Sequence, residues 1–430
     1  MKAIKNIWIL TIVFNAGVAN SQLTGITTII PGKNISLKSK NPLLPVAEPH
    51  LAINPWNSKH LIAAAIIYDS AKISVSATHV GIFVSRDGGK TWRQTDLAQE
   101  FGYDPWVAVI DSNKVAVAAL ARVKGIKGMQ LVVYLSEDGG ISWNNPPVFL
   151  GTGHDHPTMI VDDFKKRLYL LSVKGSSTIS LNYSDNYSDY QPNPFLFTGS
   201  RNLNTLTVVL QNDGTVLIPY LDFSITDGAP VSPRILINKT TDGKTLSNPV
   251  LITENTGLTK GFPVFAVSKG GKYKDRIFLL KNSRWKRDES EGLYIQYSDN
   301  SGEIWSKEIR VDNPHNEGII YLGTANMAVS DKGVIGICWY ERNDREKKKN
   351  DVYFTASLDG GISFLPKIKV TEVSSDPNSI SNGKAAERHF TGGDYMGCVA
   401  KPDGSFQILW ADSRSGVYQL YTSEIKIVSK

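Results

Sequence analysis

The sequence predicts an all-β protein, a β-propeller of four-stranded blades, with seven blades favoured over six. Three observations carry this. A turn motif recurs at near-regular spacing, apolar strand-like runs precede each copy, and no sustained helical period appears in the 430 residues.

The turn is clearest in FVSRDGGKTW, with Ser85, Asp87, Gly89 and Trp92. YLSEDGGISW repeats it with Ser136, Asp138, Gly140 and Trp143, and QYSDNSGEIW with Ser298, Asn300, Gly302 and Trp305. TASLDGGISF gives Ser357, Asp359, Gly361 and Phe364. Weaker copies lie around Asn186 and Asp242. Each type has a reason to be there: Asp binds amides inside the bend, Gly accepts positive φ, and the aromatic residue packs into the adjoining apolar layer. The central positions 87, 138, 186, 242, 300 and 359 are 48 to 59 residues apart, one four-stranded unit per step. A turn that recurs this way is structural, so catalysis is not expected from these aspartates.

Aligning the first apolar run of each unit gives starts at Glu48, Asp104, Asp155, Asn204, Phe262, Thr324 and Asp394, hence seven blades. The last unit has three runs and no turn motif. A strand from within residues 22–48 is expected to supply its fourth member and close the ring, which removes exposed sheet edges.

MKAIKNIWILTIVFNAGVANSQ reads as a secretory signal over residues 1–21: Lys2 and Lys5, an apolar stretch, then small residues at Ala19 and Ser21. A single propeller domain is expected over 22–430, secreted or periplasmic, and monomeric. No second apolar run is long enough to span a membrane. The 47 basic against 41 acidic residues form no extended basic tract, which argues against nucleic acid as a partner. Cys338 and Cys398 lie in apolar runs and read as buried free thiols, with one disulfide as the alternative.

The stretch from Ser85 to Trp92 resembles the Asp box of the sialidase superfamily at every defined position, and the repeats extend that resemblance over almost the whole mature chain. The commonest ring in that superfamily has six blades, so seven is a departure. The resemblance implies a Tyr nucleophile partnered by Glu, an Asp acid/base and three substrate-binding arginines. The family's Arg-Ile-Pro motif is absent, since no arginine precedes Arg86. Tyr340 beside Glu341 is the only adjacent Tyr-Glu pair and is the candidate for nucleophile and partner.

In a propeller the first-strand starts and the second-to-third strand loops share one mouth, and the repeated turns lie on the opposite face. Glu48, Asp104, Asp155 and Asp394 therefore converge on the channel opening. Converging carboxylates suit general acid/base work, with Asp104 and Asp155 as candidates, or a bound Ca²⁺; no cofactor is required. The alternative is that each satisfies the backbone of a neighbouring blade. Arg122, Arg284, Arg342 and Arg414 sit on mouth loops and could grip an anionic group, while Trp106 and Trp285 could stack on a sugar ring. His154 and His156 flank Asp155, but no third metal ligand is identifiable and a hydrogen-bonded role is the commoner one. At the channel mouth His156 is also a candidate to bind the ligand.

These residues favour a sialidase-like propeller that hydrolyses or binds glycans, acidic ones above all, with a glycan or glycoprotein as partner. A protein-interaction or adhesion scaffold without chemistry is the alternative. A polysaccharide lyase is a third reading, with His156, Tyr340 and the arginines as its parts.

Overall fold

The computed structural model describes residues 27–69, 78–196, 202–223, 225–226, 229–230, 233–254, 262–283, 292–312, 321–342, 349–377 and 392–429. The expected leader, residues 1–21, lies outside the described residues. Among them no helix is long and apolar enough to cross a membrane.

Seven antiparallel sheets form the blades of a propeller, the first six with their strands hydrogen-bonded in chain order and the seventh completed by a strand from the start of the chain. Blade one comprises Val46–Asn54, Asn57–Tyr68, Thr78–Ser85 and Arg93–Asp96, and blade two Phe101–Val109, Val115–Arg122, Gln130–Ser136 and Val148–Thr152. Blade three opens with His154–Asp162, and blade four with two short pieces, Leu203–Thr205 and Val209–Leu210. Blades five, six and seven open with Val264–Val267, Tyr321–Val329 and Gly397–Ala400.

Second strands read as continuous apolar runs because both faces of every blade are covered. Alternation along the strand sends neighbours to opposite sides. In blade six, Ile335, Ile337 and Trp339 pack toward blade five, while Cys338 and Tyr340 pack toward blade seven. Seven such hydrophobic clusters occur among the described residues, one at each blade-to-blade interface, including that between blades seven and one. Seven interfaces for seven blades make a closed ring. Cys338 and Cys398 are buried free thiols at the interface of blades six and seven.

Closure comes from the chain's two ends. Thr27–Pro31 pairs antiparallel with the last strand, Gln419–Ser429, from Thr27 opposite Ser429 to Pro31 opposite Ile425. Ile35–Ser36 continues along the same strand. The fourth strand of blade seven is thus the one expected from residues 22–48.

The repeated turns link third to fourth strands in blades one to six. In blade two the Asp138 carboxylate accepts the N–H groups of Ile141 and Ser142 and the hydroxyls of Ser136 and Ser142, at 2.6 to 3.0 Å. Burial opposes ionisation of Asp138, but these donors outweigh it and hold its pKa at about 2. Gly139 and Gly140 have φ of 73° and 92°, which explains the glycine pair. The turn's outward carbonyls then serve the preceding blade. Arg86 donates to Asp138 O at 2.7 Å, Arg167 to Asp242 O at 2.7 Å, Arg276 to Gly360 O at 2.9 Å and Lys401 to Gly88 O at 3.3 Å. Arg276 also forks onto Asp299 and lies 3.9 Å from the Tyr297 ring centre.

The weaker copies fold as the strong ones do: Asn186 accepts the N–H groups of Ser188 and Asp189, and Asp242 those of Lys244 and Thr245. Replacing Asp138 by Ala removes several charge-assisted bonds from one turn and is expected to cost about 2 kcal/mol, read as a lowered midpoint in urea unfolding. An unchanged midpoint would mean that the turn holds without its carboxylate.

Candidate functional site

Glu48, Asp104 and His156 each precede a proline and each adopt a left-handed backbone, with φ of 55°, 51° and 47°. At these points the pairing of first with second strand slips, between Ala47 and His50, Tyr103 and Trp106, and Asp155 and Thr158. Such bulges re-aim side chains at sheet ends. The equivalent of Asp104 in blade three is therefore His156, one residue beyond the Asp155 that sequence alignment selects.

Just inside the mouth the first strands are tied to one another around the channel. His50 Nδ1 accepts the Val107 N–H at 3.1 Å, Trp106 Nε1 donates to Met159 O at 3.1 Å, and the Thr158 hydroxyl donates to Leu206 O at 3.3 Å. Trp106, expected to offer a face to sugar, lies against His50 with ring centres 4.0 Å apart and lines the channel.

A cavity of about 170 Å³ occupies the channel. All seven blades line it, through Leu51, Trp106, His156, Leu206, Phe265, Met327 and Tyr395 in turn. Three aromatic side chains from blades three, five and seven meet across it. The Tyr395 hydroxyl is 2.8 Å from His156 Nδ1, and Phe262 packs on both rings at 4.7 and 6.3 Å.

Burial, and then the charges of Asp104, Glu48, Asp394 and Asp155, push the Tyr395 phenol well above its usual range. Tyr395 is therefore protonated at neutral pH. Glu48 is buried and its Oε1 accepts the Asp394 N–H at 3.3 Å. Asp394 lines the cavity. Asp104, Asp155 and His156 present one donor atom each within 4.8 Å of one another. His154 stands apart, with Nδ1 on the Ser172 hydroxyl at 2.9 Å, a structural role.

The structure separates the remaining sequence candidates from this cavity. The Tyr340 hydroxyl is held between the N–H and C=O of Ala411, both at 2.9 Å, in the interface of blades six and seven. Glu341 points to the other face of the same strand, where Trp339 Nε1 and Lys367 Nζ bind its carboxylate at 3.0 and 2.8 Å. Strand alternation thus divides the adjacent Tyr-Glu pair. Arg342 is buried, with Nε on Asn350 Oδ1 at 3.1 Å, and Arg414 binds Asp412 while its guanidinium lies 4.3 Å from the Tyr421 ring centre. Arg122 is exposed at the end of its strand. Arg284 and Trp285 lie outside the described residues. Tyr395 was not a sequence candidate, although it directly follows the aligned Asp394; its partner His156 is 239 residues away.

The fold and cavity together define a closed seven-bladed propeller with a carboxylate-rich, aromatic-lined mouth. Solved structures of similar fold include the endosialidase of phage phi92, with 11% identity over 93% of this chain and 70% of that one, at a TM-score of 0.51. Others are an α-L-arabinofuranosidase from Fusarium graminearum (13% identity, 93% and 98% coverage, TM-score 0.47) and an intramolecular trans-sialidase from Ruminococcus gnavus (13%, 88% and 94%, 0.44). The chain thus resembles sialidases and related propeller glycosidases, a likeness of fold. No protein-family model and no curated protein matches the sequence.

Burial lowers the His50 pKa from 6.5 to about 3. The unfolded chain therefore binds a proton that the folded one refuses, and stability falls as pH drops below 6.5, saturating near 3. Between pH 6.5 and 5 this group should cost about 2 kcal/mol. Urea unfolding at both pH values should show a smaller acid loss in His50→Gln than in the unmodified protein; equal losses would contradict the assignment.

Proposed function

We propose that the protein is an exported, single-domain propeller spanning residues 22–430 that engages glycans at its channel mouth. In its enzymatic form Asp104 and Asp155 act as the acid/base pair on a glycosidic bond. The observation that carries this is the meeting of the two carboxylates, from adjacent blades, within 4.8 Å of each other and of His156 beside the channel cavity. Paired carboxyl groups about 5 Å apart are the spacing at which one protonates a leaving oxygen while the other acts on the sugar ring.

The protonated Tyr395, fixed on His156, adds a hydrogen-bond donor, and the cavity wall offers the apolar face of Phe262. The fold shared with a phage endosialidase supports a glycan as the ligand class. Arg342 and Arg414 are engaged by Asn350 and Asp412, so an anion clamp built from these two is not part of the reading.

The test is incubation of the protein with sialylated, uronate-containing and neutral glycans, with products analysed by mass spectrometry. Asp104→Asn and Asp155→Asn should each lower turnover by about 100-fold or more while the unfolding midpoint stays close to that of the parent. Undiminished turnover in both variants would remove the acid/base assignment. Glycan binding with no product from any substrate would leave a binding propeller.

A further inference from the structure

We propose that Asp104, Asp155 and His156 form a site for one divalent cation of the zinc or manganese kind. Their donor atoms lie within 4.8 Å of one another, so an ion at their centre stands within roughly 2.8 Å of each; small side-chain rotations bring it to the 2.0–2.2 Å of a bond.

Two adjacent blades supply the set. Asp104 and His156 occupy equivalent left-handed positions before proline at the starts of successive first strands, and Asp155 is held beside His156 by accepting the His156 N–H at 3.0 Å. The imidazole is oriented from outside the set. In the tautomer that ligates, Nδ1–H donates to the Tyr395 hydroxyl oxygen of blade seven at 2.8 Å and Nε2 carries the lone pair, 3.8 Å from Asp155 Oδ2. Partners of this kind fix ring orientation in histidines that hold metals.

Donor chemistry selects the ion. Two carboxylates alone would suit Ca²⁺ or Mg²⁺, but an imidazole nitrogen in a set of three favours Zn²⁺ or Mn²⁺. Three protein ligands leave a fourth position for water or a ligand oxygen. The site shares Asp104 and Asp155 with the acid/base pair proposed above, yet metal binding is read without any glycan, so the two ideas fail separately. With the ion bound the mouth is a coordination site, and the acid/base pair proposed above belongs to the ion-free protein.

The experiment is calorimetric titration of the chelator-treated full chain with ZnCl₂, MnCl₂ and CaCl₂. The expected result is one ion per molecule, with Zn²⁺ or Mn²⁺ at least tenfold tighter than Ca²⁺. Asp155→Asn, at an exposed carboxylate, and His156→Gln should each weaken binding at least tenfold. Tyr395→Phe should weaken it several-fold without changing the stoichiometry, the mark of a positioning residue. Absence of saturable binding, tighter binding of Ca²⁺, or parental affinity in both ligand variants would overturn the proposal. Unfolding midpoints measured on the same variants separate a lost site from a lost fold.

Discussion

Everything at the channel mouth depends on one backbone pairing, that of Thr27–Pro31 with the end of the last strand. A propeller has no central core; its apolar surface is buried in pairs, between successive blades, and the seventh pair exists only when the ring closes. The cluster joining Leu409 and Leu420 of blade seven to Leu51 and Leu61 of blade one is that pair. The closing strand therefore holds the first and last blades at the distance at which Glu48 meets Asp394, and blade seven at the distance at which Tyr395 reaches His156. The cavity is a product of closure, since no single blade contains it.

Much of this architecture was legible in the sequence because its causes are local. A turn that needs an amide acceptor, a left-handed glycine and an aromatic packer writes all three within eight residues. Even the degenerate copies at Asn186 and Asp242 kept enough of the pattern to be counted. The closing strand could be inferred by completing the last unit. The mouth was legible only in part. Glu48 and Asp104 were located by their alignment, but a bulge displaced the third equivalent from Asp155 to His156, and periodicity does not register a bulge. Tyr340 and Glu341 look like partners in one dimension, and a period of two sends them to different interfaces. Arg342 and Arg414 look available until Asn350 and Asp412 engage them. Tyr395 carries no signal in its own segment because its meaning lies in a contact across the channel.

The electrostatics of the mouth follow from that geometry. Glu48, Asp104, Asp155 and Asp394 come from four blades, and each is unremarked in its own segment. Burial, and then the charges of these carboxylates, hold the proton on Tyr395, and Tyr395 in turn fixes the His156 ring. A protonated hydroxyl, an imidazole whose Nδ1 is bound to it and two neighbouring carboxylates form a chain in which each group sets the state of the next.

The repeated turns and the cavity occupy opposite faces of the ring, because the first strand of each blade starts at the end from which the third strand departs. The residues that specify the architecture are thereby spared from the chemistry, and those at the mouth are spared from specifying the architecture. Over evolutionary time the two sets are free to change on separate schedules: the turn signature can persist while the constellation at the other face is rewritten, or erased, without loss of the ring. The architecture is then written on one side of the molecule and its occupation on the other.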